Sequence, residues 1–166
     1  MCSSDLLHVA RFGPIINASA PARRHQDHTQ YIVRVISPQS RCTGAIVGPR
    51  LVLTAQHCIF DDNGDSRGAL TVKWEYLGLD PSSGLVTKDI SVNVVDWTTA
   101  AGKWKSSWRH DWALLVLEKP IADAYGWLPL VKPDAMPKSG DRLAIAGYSG
   151  DLDEGSYITM DWGCPV

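Results

Sequence analysis

A histidine and a carboxylate stand out by type and setting. His57 closes the run Leu51-Val-Leu-Thr-Ala-Gln-His57-Cys58, a short stretch of strand formers that ends in a ring able to take and return a proton near neutral pH. A base placed at a strand end, beside a cysteine that could tie the next turn down, has the anchoring that proton transfer needs. A misplacement of about 1 Å can cost about two orders of magnitude in rate. Asp111 opens the apolar run Trp112-Ala-Leu-Leu-Val-Leu117. A carboxylate at the mouth of a buried strand is costly unless paired. The N–H of a neutral imidazole is a suitable partner, because that bond sets the tautomer and stabilises the imidazolium formed when the ring takes a proton. An ordinary strand-end or turn carboxylate is an equally open reading of Asp111 from its local sequence.

The chain has four cysteines, which allow three pairings. Cys42 and Cys58 bracket the strand-forming segment that carries His57, and Cys2 and Cys164 lie at opposite ends. The favoured bridge is Cys42–Cys58, whose loop closure contributes about 3 kcal/mol in the chain-entropy model. Such a bridge implies an oxidising compartment. Two reduced, buried thiols are the alternative. Zinc held by His57 and Cys58 is weaker still, since no Cys-x-x-Cys pair supports it, and neither a metal nor any other cofactor is expected.

The elements that must position these groups read as β almost throughout. Thr29–Ile36, Cys42–Val47 and Leu51–Thr54 are candidate strands, the last two joined at Gly48-Pro49-Arg50. Leu70–Tyr76 and Ile90–Val95 alternate apolar and polar residues, as half-buried strands do. Trp112–Leu117 is continuously apolar and reads as a strand buried on both faces. The expected class is all-β, a small closed antiparallel barrel or a sandwich over residues 29–117. Residues 1–28 read as a poorly structured N-terminal segment. Prolines 120, 129, 133 and 137 mark residues 118–140 as a connector. Residues 141–166 hold two more candidate strands, Arg142–Tyr148 and Tyr157–Asp161, the start of a second β unit.

In order and wording, Cys42-Thr-Gly-Ala-Ile-Val-Gly-Pro-Arg-Leu-Val-Leu-Thr-Ala-Gln-His57-Cys58, then Asp111-Trp-Ala-Leu-Leu-Val-Leu117, resembles the chymotrypsin-like (trypsin-like) serine proteases. With Ala146-Gly-Tyr-Ser-Gly-Asp151, the phrase is most similar to the bacterial glutamyl-endopeptidase-like branch. The resemblance runs from about Tyr31 to the C-terminus. It implies a fold of two six-stranded barrels with the active site between them, His57 as general base and Asp111 as its orienting carboxylate. It also implies peptide-bond hydrolysis, a protein or peptide substrate, and an exported, secreted or periplasmic protein. Gln56 stands where the family usually has alanine, which is tolerable if its side chain points away.

The larger departure concerns the nucleophile. The family's Gly-Asp-Ser-Gly-Gly type motif does not occur in these residues. Gly147-Tyr-Ser149-Gly-Asp151 imitates a nucleophile elbow but lacks the helix such an elbow needs, so Ser149 is not expected to act. The expectation is a fragment, inactive alone, with the first barrel complete and the second only begun. In the same branch a cysteine resembling Cys164 pairs with one just before the serine motif, so Cys164 is expected to stand single here. The competing readings are a non-catalytic homologue that binds or regulates, and an unrelated disulfide-linked sandwich in which His57 and Asp111 lie far apart.

The remaining features exclude more than they suggest. Of 166 residues, 45% are hydrophobic and 20% charged, which suits one soluble globular domain. A net charge of -2 gives no reason to expect nucleic acid or an anionic membrane. No apolar run approaches membrane-spanning length. The first residues make a poor signal peptide, being interrupted by His8 and Arg11, so either a signal was never included or the start is misplaced. Asp61-Asp-Asn63-Gly-Asp65 hints at calcium but lacks the later ligands of an EF-hand, and reads as a solvated turn. Trp104 and Trp108, among Lys103, Lys105 and Arg109, read as a loop leading into Asp111. His25 and His28 read as solvent-exposed. Nothing bears on oligomeric state.

Overall fold

The structure is a computed structural model that describes residues 28–80, 84–100, 108–121, 126–148 and 158–166. β-branched and aliphatic residues build its first strands: β1 (Ile32–Ile36), β2 (Arg41–Gly48) and β3 (Leu51–Thr54). They are followed by β4 (Thr71–Asp80), β5 (Gly84–Thr99) and β6 (Ala113–Leu117). All six close into one antiparallel barrel in the order β1-β2-β3-β6-β5-β4, with β4 returning to pair with β1. Closure gives every strand of the barrel a neighbour on each side.

The barrel is filled by one face of each strand. Val33, Val35, Ile46, Val52, Val72, Trp74, Val92, Ala113, Leu115 and Leu117 form a continuous buried cluster. The interior is narrow at Gly44: a Cβ built there would lie 2.6 Å from Val52 Cγ1 and 2.9 Å from Val35 Cγ2. Only a residue without a side chain lets β1, β2 and β3 approach so closely. Trp74 is 1% exposed, and its indole N–H donates to the Gln30 carbonyl at 2.7 Å, which satisfies the polar end of a large core ring.

That contact accompanies a shorter first strand than expected. His28–Tyr31 forms a 3-10 turn, and β1 begins only at Ile32. Strand β6 also differs from expectation. Ala113, Leu115 and Leu117 are buried while Leu114 and Val116 are half-buried, so the strand has one interior face rather than two. A barrel has a single inside, and an apolar outer face needs only partial cover. Strands β4 and β5 pair continuously from Thr71↔Asn93 to Asp80↔Gly84, well past the alternating segments that mark them in the sequence.

Beyond the barrel the chain runs along its surface. The Ile121 N–H donates to the Pro49 carbonyl and the Leu128 N–H to the Ile46 carbonyl. Strands β7 (Arg142–Tyr148) and β8 (Ile158–Pro165) then pair with each other as a two-stranded sheet, β8 reaching four residues past the expected Asp161. Sheet and barrel meet where the Tyr148 N–H donates to Thr43 Oγ1 at 2.9 Å and the Arg34 guanidinium lies 5.4 Å from the Tyr148 ring centroid.

Candidate active site

Strand β3 runs out of the barrel through Ala55, still extended at φ −87° and ψ 149°, into a 3-10 turn at Gln56–Cys58. The turn is closed by the Cys58 N–H on the Ala55 carbonyl and by the Ile59 and Phe60 N–H groups on the Gln56 carbonyl. Three further ties fix it. Cys58 is bridged to Cys42 of β2, with Cα atoms 6.1 Å apart. Ser40 Oγ donates to the Cys58 carbonyl at 3.1 Å. Thr54 Oγ1 donates to the Thr43 carbonyl at 2.8 Å, locking the end of β3 to β2.

On the neighbouring strand, a 3-10 turn at Trp108–His110 precedes Asp111, and β6 follows at Ala113. Pairing of Thr54 with Ala113 brings the end of β3 beside the start of β6. His57 and Asp111 then meet through two bonds. The His57 backbone N–H donates to Asp111 Oδ1 at 3.0 Å, and the ring Nδ1 lies 2.8 Å from Oδ2. Their side chains are 18% and 19% exposed.

Partial burial alone would raise the Asp111 pKa. It is outweighed by the hydrogen bonds and charge offered by His57 and by the Gln56 backbone, and the carboxyl is held below its ordinary value. An ionised carboxylate only accepts, so Nδ1 must carry the hydrogen and Nε2 is left as the basic nitrogen. Such an arrangement can serve as a general base oriented by a carboxylate. An unrelated sandwich would have kept the two residues far apart.

The other groups singled out in the sequence fare differently. Gln56 does not point into solvent; it is 5% exposed. The Asp61–Asp65 loop spends its carboxylate on itself. Asp61 Oδ1 accepts the N–H groups of Asn63 and Asp65, and these backbone bonds lead in holding its pKa low. Cys42, His57 and Cys58 place ligand atoms within 4.8 Å of one another, but the bridge leaves neither sulfur a thiolate to offer. Cys164 is disulfide-bonded, which corrects the expectation that it stands single; its partner lies outside the described residues. Cys2, Ser149, His25, Trp104, Lys103 and Lys105 also lie outside them, as does the side chain of Trp108.

Arg67 went unnoticed in the sequence. Its Nε donates to the carbonyls of His57 at 2.9 Å and Phe60 at 3.1 Å. Ser66-Arg67-Gly68 has no spacing or composition that would single it out.

Known proteins resemble this chain over most of its length. The family model described as Trypsin matches residues 16–160. A glutamyl endopeptidase of Bacillus licheniformis is 29% identical over 126 residues, covering 75% of this chain and 38% of that protein. A trypsin-like protease of Streptomyces glaucescens is 32% identical over 116 residues, covering 69% of this chain and 38% of that protein. The chain thus spans well under half the length of either relative. Among solved structures, a Glu endopeptidase in complex with MPD superposes with a TM-score of 0.64 over 90% of this chain and 70% of its own, at 16% identity, a likeness of fold.

Proposed function

Since this chain belongs to the trypsin family of serine proteases, we propose that it is the base-bearing portion of an exported serine endopeptidase, with His57 as general base and Asp111 as its orienter. The reading is carried by one observation: both oxygens of Asp111 are engaged by His57, one by the backbone N–H and one by the ring. The Cys42–Cys58 bridge supports an oxidising, extracytoplasmic compartment.

The chemistry then follows from Nε2 as the proton acceptor, the ring nitrogen that does not face Asp111. A serine hydroxyl attacks the carbonyl carbon of a peptide bond as its proton passes to Nε2. Asp111 stabilises the resulting imidazolium. The same proton is delivered to the leaving amine, so that the C–N bond breaks and an acyl-enzyme remains. Water, deprotonated by Nε2 in turn, releases the acid and restores the serine. The nucleophile is assigned to chain outside these 166 residues, because no Gly-Asp-Ser-Gly motif occurs within them.

A fluorophosphonate that acylates activated serines tests this. It should leave the 166-residue chain unlabelled. It should label the longer product of the same gene stoichiometrically, with labelling abolished by His57→Ala. Stoichiometric labelling of Ser149 in the short chain would overturn the assignment of the nucleophile. A longer product without an acylatable serine would instead mark a non-catalytic homologue acting as a binding or regulatory module.

A further inference from the structure

The turn that carries His57 is a single short 3-10 turn, which leaves its last carbonyls without partners of its own. Arg67 meets them. After Cys58 the chain makes a small excursion and returns: Phe60 and Ser66 form an isolated antiparallel bridge, and the Asp61 N–H donates to the Asp65 carbonyl. The Arg67 N–H then donates to the Ile59 carbonyl at 2.8 Å. This return places the Arg67 side chain under the turn, where one Nε–H is shared between the carbonyls of His57 and Phe60.

A charged donor on the carbonyls of His57, in the turn, and Phe60, just past it, is stronger than a neutral one. It also acts on the residue that matters, for the His57 carbonyl and the His57 N–H belong to the same backbone unit. The N–H is held by Asp111 on one side of that unit and the carbonyl by Arg67 on the other. The ties at Thr54 and Cys58 fix the chain on either side of His57, and Arg67 adds a hold on the His57 carbonyl itself, which keeps the ring's approach to Asp111 Oδ2 in register.

We propose that Arg67 is a positioning residue for His57, clamping the carbonyl side of the turn so that the ring stays in register with Asp111. The assignment rests on the base-and-orienter reading above. Arg67 touches neither the substrate nor the reacting atoms.

The test reads the imidazole itself. In the wild-type chain the His57 Nδ1 proton should be visible by NMR and protected from exchange with water. Arg67→Gln should speed that exchange about tenfold, equivalent to about 1.4 kcal/mol of local opening, with the Val35 amide in the barrel core unchanged. If Arg67→Gln fails to fold, Arg67→Lys keeps the charge without the shared Nε–H and should give about a threefold increase. Exchange unaffected by either variant would sink the role of Arg67 alone. So would equal acceleration at Val35, which would mark a merely structural residue. A wild-type chain with no protected Nδ1 proton, or one whose proton is indifferent to Asp111→Asn, would sink the dyad and the Arg67 assignment with it.

Discussion

The barrel and the two-stranded sheet are made of similar residues and held in different ways. Every strand of the barrel is paired on both sides, and its inward side chains are almost fully buried. Among the described residues, strands β7 and β8 pair only with each other. Among the described residues of β7, Gly147 alone is buried, and the rest are half-buried or exposed. An isolated two-stranded sheet is marginal in water. This one leans on the barrel through Tyr148, Thr43 and Arg34. His57 and Asp111 both belong to the barrel, at the end of β3 and just before β6. The His57–Asp111 pair is therefore built into the closed part of the molecule, and the open part takes its position from it.

The sharpest way to break this comparison is to cut matched side chains from the two regions. Leu115→Ala empties the barrel centre and should cost about 2–5 kcal/mol in denaturant unfolding. Ile145→Ala, half-buried in β7, should cost about 1 kcal/mol or less. Equal costs would mean that the sheet is as much a core as the barrel. Next in size is the bridge: replacing Cys42 and Cys58 together by serine should cost about 3 kcal/mol and lower the melting temperature. The seam between the regions is weaker. Thr43→Val leaves the Tyr148 N–H without its acceptor and should cost about 1 kcal/mol. Amides of β7 should then exchange faster while those of β1 and β6 keep their rates. The smallest expected effect is an acid-side one. The Asp111 carboxyl is depressed in the folded chain, so its contribution is fully present above the ordinary value of 3.8 and is lost as pH falls through the depressed one. Asp111→Asn should flatten stability against pH in that acid window.

Much of the barrel was legible in sequence because its signals are local. Leu51–Thr54 and Arg142–Tyr148 appear as strands with the bounds expected of them. The Cys42–Cys58 bridge was legible too, since both cysteines flank one hairpin. The pairing of His57 with Asp111 was not local. It needed two blocks read together, because either residue alone fits an ordinary strand end. The far halves of β4 and β5 were missed since Gly78, Gly84 and the polar residues between them break the alternation, while the ladder holds them by backbone bonds that carry no side-chain pattern. Arg67 was missed because its partners are carbonyl groups, and a carbonyl leaves no trace in residue type. The pairing of Cys164 was misjudged because its expected partner was inferred from other chains instead of this one.

The double hold of Asp111 on His57 has an evolutionary consequence. One oxygen orders the backbone of the turn and the other orders the ring. On the proposed function, a lineage that gave up catalysis would lose its reason to keep the imidazole, but the His57 N–H would still need an acceptor whatever side chain replaced the ring. Selection on folding alone would go on retaining the aspartate after selection on chemistry had lapsed. In such descendants position 57 should therefore diversify before position 111, and a surviving aspartate there testifies to the turn, while a surviving histidine testifies to the proposed reaction.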